Sequence, residues 1–187
     1  DETLQFNTLY ESLVAQFSEM RKQNPDHEPT LLISTMEGYP EDDTNMQVLG
    51  EAAREAGFEV AFEYIENTEF SSIEGIYKQS SNDGSFTRYD FWFKLVPWEY
   101  IGWDEPELTQ ILTDLVINQK TVVLNPAYTL LFQSKGILKV LWQLFPNHPL
   151  LLETASTPLV NKTSVEKVLF GREGANVKIL DTAGNAV

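Results

Sequence analysis

The chain has 187 residues, 42% of them hydrophobic and 12% aromatic, which is enough apolar material for a sizeable core and excludes a disordered segment. It has no cysteine and only two histidines, His27 and His148, which removes disulfides, thiolate nucleophiles and histidine-rich metal centres. A formal charge of −15, from 28 acidic against 13 basic residues with no basic run, excludes a nucleic-acid partner, since such a surface repels a polyanion.

Following Leu4, the residues Leu9, Leu13, Phe17 and Met20 recur at three- and four-residue steps, with Phe6, Tyr10 and Val14 beside them, the spacing of an amphipathic helix that closes near Asn24-Pro25. Thr30 to Ser34 reads as a short buried strand. Asp43 and Thr44 are placed to cap a following helix that carries Met46, Leu49, Ala53 and Ala56 on one side, and Gly57 is placed to end it. Phe58 to Ile65 resumes as a strand, so the first segment is a βαβ unit and a parallel sheet is expected. Asn82-Asp83-Gly84 sits between two strand-like stretches, a hairpin signal, and the second stretch is the aromatic run Tyr89 to Leu95. A helix over Glu107 to Asn118, a strand over Thr121 to Leu124 and a long apolar helix from Pro126 to Phe145 follow. Trp92, Trp98 and Trp103 are expected in the core. His148 is expected in a turn.

Glu153 to Lys162 reads as a linker between residues 1–152 and residues 163–187. Val165 to Phe170 and Val177 to Leu180 are strands, Asp181 to Asn185 is turn chemistry, and Ala186-Val187 reads as the opening of a returning strand. Sheet pairing left open at this point, together with a first residue that is Asp1 rather than Met, predicts a piece of a longer protein. No apolar run approaches the ~18 residues of a membrane span, and the expected compartment is the cytoplasm.

Gly171-Arg172-Glu173-Gly174-Ala175-Asn176 separates the last two strands. Two glycines let backbone N–H groups converge on one concavity, and Arg172 adds a fork matched to phosphate oxygens. An ordinary hairpin turn with a surface arginine fits the same residues, because the Walker-type spacing is absent. In the alternation of its strand Lys167 shares a face with Val165 and Leu169, so it is either a snorkelling side chain or a cation that serves a ligand. Lys135, in Gln133-Ser134-Lys135-Gly136, interrupts an apolar helix at a glycine. Glu41, Asp42 and Asp43 at a helix start are explained by the helix dipole. The overall acidity has two readings, a solvated surface or the attraction of a cationic substrate.

Three stretches together resemble the glutathionylspermidine synthetase family of ATP-grasp carbon–nitrogen ligases. They are Trp92 to Glu99; Asn125 through Ser134-Lys135 to Pro149; and Lys167 to Val177. The resemblance implies an α/β fold: a βαβ-containing pre-ATP-grasp lobe with a mixed sheet, followed by the opening strands of an ATP-grasp domain over 163–187. It implies that Lys135 and Lys167 hold ATP, that Gly171, Arg172, Glu173 and Gly174 close over its phosphates, and that Arg172 acts at the transferring group. Members activate a carboxylate, such as that of glutathione, as an acyl phosphate that an amine, such as a polyamine, then attacks. Glu41 and Asp42 match an acidic stretch linked to the amine. The family's magnesium ligands, an Asp and a Glu-x-Asn pair, have no counterpart here, so magnesium is expected to be held outside this chain. Leu95-Val96-Pro97 stands where glutathione-using members are polar. The expected function is a share in ATP-dependent ligation of a carboxylate to an amine, with the isolated piece inactive. The alternative is a non-catalytic acidic module that binds a polyamine or a basic partner.

Overall fold

Thr30-Leu-Leu-Ile-Ser-Thr35 forms strand β1 (Thr30–Thr35), buried at every residue after the first, in the computed structural model, which describes residues 8–23, 28–171 and 174–187. Helix α1 (Leu9–Lys22) precedes it, and helix α2 (Pro40–Glu55) leads from it to β2 (Glu59–Tyr64). β1 and β2 pair in parallel, the βαβ unit expected from the short strand–helix–strand spacing. The Asp43/Thr44 cap is not formed. α2 starts earlier, with Pro40 at its first position, where a missing N–H does no harm. Gly57 ends the turn after α2 at φ +89°, the left-handed region that a side chain disfavours.

The chain then builds a separate antiparallel sheet from β3 (Thr68–Ser71), β4 (Gly75–Gln79) and β5 (Phe86–Tyr89). Asn82-Asp83-Gly84 lies in the β4–β5 connection, and Gly84 there takes φ +71°. The aromatic run Tyr89 to Leu95 is not one hairpin strand. It divides at Asp90, and β6 (Phe91–Lys94) joins the parallel sheet beside β1. Asp90 holds that switch: its carboxylate accepts from Thr30 N (3.3 Å) and Thr30 Oγ1 (2.9 Å). Helices α3 (Trp98–Asp104) and α4 (Pro106–Ile117) lead to β7 (Val122–Val123), and the sheet order is β2-β1-β6-β7. The chain leaves β1 towards β2 and later returns to β6 on β1's other side. The order in which strands are added therefore reverses between β1 and β6, although all four run parallel.

Alternation sorts the sheet's side chains to two cores. Leu31, Ile33 and Phe91 pack with Phe17 of α1 and with Met46, Leu49, Ala52 and Ala53 of α2. Leu32 and Trp92 pack on the other face with Ile76 and Tyr89 of the antiparallel sheet and with Ile101, Leu112 and Leu115 of α3 and α4. Trp92 is fully buried, and its Nε1 donates to Ser34 Oγ (3.0 Å). Trp98 is half-buried, whereas Trp103 is 71% exposed, because it sits on the outer side of α3, a helix with no expectation in the sequence.

By backbone contacts the chain divides into Asp1–Pro126 and Ala127–Val187. In the second unit the expected long helix is broken. A 3-10 turn (Ala127–Thr129) and α5 (Leu130–Gln133) are separated from α6 (Gly136–Leu144) at Ser134-Lys135. The remaining strands, β8 (Ser164–Glu166) and β9 (Lys178–Leu180), pair antiparallel. β8 stops before Lys167, so that lysine does not share a strand face with Val165 and Leu169. The returning strand is present as a bridge between Leu180 and Ala186. Residues 153–162, read as a linker, lie inside the second unit, where Lys139 Nζ donates to Ser156 Oγ (2.7 Å).

Trp92→Ala is expected to destabilise the first unit by about 3–5 kcal/mol, the cost of a large buried aromatic. Trp92→Phe, which keeps most of the volume but removes the indole's hydrogen bond to Ser34 Oγ and leaves it only Thr68 Oγ1 at 3.4 Å, is expected to cost about 1 kcal/mol. Urea unfolding followed by circular dichroism measures both. A loss below about 1 kcal/mol for the alanine variant would contradict the central placement of the indole.

Candidate functional site

The sequence places its candidate phosphate site in the second unit, and two of its parts meet there. Ser134 ends α5 in an extended conformation (ψ 126°), and Lys135 stands at the N-terminal cap of α6. The Lys135 amide donates to Leu169 O at 2.9 Å, so it is spent on the segment before the glycine turn and not on a continuous helix. Its ammonium donates to Gly171 O. One lysine is thus tied twice to Leu169–Gly171, across 36 residues of sequence. Gly171 has no room for a side chain: a Cβ there would lie 2.6 Å from Val168 Cγ2 and 3.6 Å from Lys135 Nζ. Gly174 takes φ +74° with open space around it, as a turn that exposes backbone amides requires.

Lys167 follows the end of β8 and is exposed, and its ammonium has no hydrogen bond or ion pair among the described residues. Arg172 and Glu173 lie outside the described residues. On the neighbouring strands Lys178 Nζ pairs with Glu166 Oε1 at 3.1 Å, an exposed pair of small energetic weight.

In the first unit, Glu41 and Asp42 occupy the first turn of α2, Glu41 exposed and Asp42 half-buried. Their neighbour Asp43 turns inward: it accepts from Thr35 Oγ1 (2.7 Å) and Tyr64 OH (3.3 Å). The Asp43 carboxylate raises the Tyr64 phenol above its ordinary pKa, with a smaller contribution from burial. Asp43 therefore ties the ends of β1 and β2 together.

Sequence reasoning missed the most unusual ionisable group. Lys94, the last residue of β6, is 1% exposed. Its ammonium lies 3.9 Å from the centre of the Trp98 ring and donates to Val96 O at 2.5 Å. Asn125 Nδ2 donates to Lys94 O (2.5 Å), and Trp98 Nε1 donates to Asn125 O (2.8 Å). Burial lowers the Lys94 pKa to about 7, and the Glu99 carboxylate opposes part of that shift. The signal was present in Trp92-Phe93-Lys94-Leu95-Val96, a lysine with apolar residues on both sides. Such a lysine reads as an edge-strand snorkel until the sheet order places β6 in the interior.

A family model described as glutathionylspermidine synthase preATP-grasp matches residues 1–187. A protein of Haemophilus influenzae named "Putative acid--amine ligase" is 31% identical over 177 residues, covering 92% of this chain and 42% of that protein. A bifunctional glutathionylspermidine synthetase/amidase of Escherichia coli is 35% identical over 72 residues, covering 37% of this chain and 12% of that protein. The chain spans less than half the length of these relatives.

The depressed Lys94 pKa makes stability depend on pH. Between about 7 in the folded state and 10.5 in the unfolded state, the unfolded chain binds the extra proton, so stability rises as pH rises through that window. Below pH 7 both states are protonated at this site and its contribution is flat. Lys94→Met is expected to remove the rise between pH 7 and 10. Urea midpoints of the two proteins across that range measure it, and parallel pH profiles would contradict the burial of the charge.

Proposed function

Because the chain belongs to the glutathionylspermidine synthase preATP-grasp family, we propose that it is part of an ATP-dependent ligase that joins a carboxylate to an amine. The observation that carries the reading is the double tie of Lys135 to the segment Leu169–Gly171. A triphosphate needs several cations and amide donors in one place, and the fold brings a distant lysine to a glycine turn too tight for any Cβ.

On this reading Lys135 and Lys167 hold phosphate charge and the amides of Gly171 and Gly174 add N–H donors. Arg172 stabilises charge that develops on the transferring phosphoryl group. ATP supplies the phosphoryl group that activates the carboxylate as an acyl phosphate, and attack by the amine nitrogen then expels phosphate. Lys135 exchanges its bond to Gly171 O for a phosphate oxygen. Magnesium, on this reading, is held by residues outside this chain. Among the described residues no helix is long and apolar enough to cross a membrane. A cytoplasmic setting belongs to the same reading.

The test is steady-state kinetics in a ligation-competent protein that contains this chain. Arg172→Ala is expected to lower turnover at saturating ATP by about 10²–10³, the effect of losing one donor to transition-state charge. Lys167→Ala is expected to raise KM for ATP, because ground-state binding is lost with it. Near-normal kinetics in both variants would favour the competing reading, an acidic module that binds an amine without catalysis.

A further inference from the structure

A short element closes over the buried lysine at the end of β6. Trp98, the first residue of α3, sets its ring 3.9 Å from the Lys94 ammonium. The carbonyl of Val96, in the turn between β6 and α3, accepts a hydrogen bond from the same ammonium. Neither partner carries a charge. Glu99, buried in the first turn of α3, is the charged group that acts on Lys94, and its pull is smaller than the effect of burial. β1 meets Lys94 with Ser34, and the segment after β7 meets it with Asn125. Neither of these titrates.

The strand and its cover are held very differently. β6 is paired along both edges, to β1 and to β7. α3 is a helix of 7 residues in which Glu99 and Ile101 are buried. Tyr100 and Trp103 face water, and Gly102 has open space around it. An element with so few buried contacts opens at a lower cost than the sheet beneath it. Lifting α3 breaks the bond from Trp98 Nε1 to Asn125 O (2.8 Å) and uncovers a flexible stem that can carry the ammonium to water. A charged amine gains hydration by that movement, whereas a neutral amine gains little.

We propose that Trp98 and α3 form a lid over Lys94, which opens with the amine protonated and is held shut when the amine is neutral. The sheet stays folded throughout, so the opening is distinct from unfolding of the first unit. Asn125 directly precedes Pro126, the last residue of that unit, so lifting the lid also frees the carbonyl beside the chain's exit from it. The sign follows from the two states of the lysine. With the lid shut its pKa is about 7, and with the side chain in water it has the ordinary value of 10.5. Between those values the open form binds the extra proton, so opening becomes less favourable as pH rises through that window. Below pH 7 both forms are protonated and the dependence is flat.

The test is amide hydrogen exchange of the 187-residue chain, followed by NMR and corrected at each pH for the intrinsic exchange rate. Protection of the Tyr100 and Glu105 amides, which bond to Pro97 O and Ile101 O, is expected to rise about tenfold per pH unit above 7 and little below it. The amides of β1 are expected to be better protected than these at every pH. In Lys94→Met the rise is expected to vanish. In Glu99→Gln, which removes the carboxylate that favours the charged form, it is expected to begin at lower pH. Protection in α3 that is independent of pH overturns the proposal, as does a rise that survives in Lys94→Met. Equal protection of α3 and β1 overturns it too, because the opening would then be unfolding of the whole unit; this comparison uses the unsubstituted chain and does not depend on the folding of either variant.

Discussion

A strand that pairs in parallel along both edges must be covered on both faces, because crossover connections place layers above and below it. β1 is under that constraint, and most of the first unit answers to it. Leu31 and Ile33 require the α1/α2 layer on one side, while Leu32 requires Trp92 and the helices behind it on the other. Ser34 would be an isolated hydroxyl in that interior. It is satisfied by the Trp92 indole at 3.0 Å and lies 3.4 Å from Thr68 Oγ1. Through that one hydroxyl the central strand contacts both its neighbour β6 and the first strand of the antiparallel sheet.

The same burial sets the electrostatics of the sheet's carboxyl edge. Lys94 ends β6 with almost no exposure, so its charge is met by the Trp98 ring and the Val96 carbonyl rather than by water. Its pKa falls accordingly. Beyond it, Glu66 follows β2 while Asp104, Glu105 and Glu107 stand at the corner between α3 and α4, and the strand order brings both to the sheet's carboxyl edge. A net charge of −15 is therefore spread unevenly.

The second unit depends on a different device. The Lys135 amide leaves the helical ladder for Leu169 O, and this exchange breaks the helix where an apolar pattern alone would continue it. Gly136 lies beside the break, where a Cβ would stand 3.3 Å from Ser134 Oγ and in ordinary contact with Leu169 Cδ2 at 3.5 Å. The break turns Lys135 towards Gly171 instead of leaving it as a solvated helix lysine.

Local chemistry in the sequence determined what depends on near neighbours. The period of Leu9, Leu13 and Phe17, the glycine that ends α2, the Asn82-Asp83-Gly84 turn and the Asp181–Asn185 turn all follow from dihedral preference and short-range hydrogen bonds, and all are present. The α/β class with a parallel βαβ unit followed from the same signals. The motif residues Lys135 and Gly171 were legible as chemistry, but nothing local says that residues 36 apart will meet. Tertiary structure decided the rest. Asp90 ends one sheet and begins another because Thr30, 60 residues away, bonds to it. Trp98 covers a lysine while Trp103 faces water, although an apolar count scores them alike. Lys94 is buried because β6 falls inside the strand order, and no pattern around Lys94 encodes that order. Periodicity reports which face of an element is apolar; only the closing of the sheet reports what that face meets.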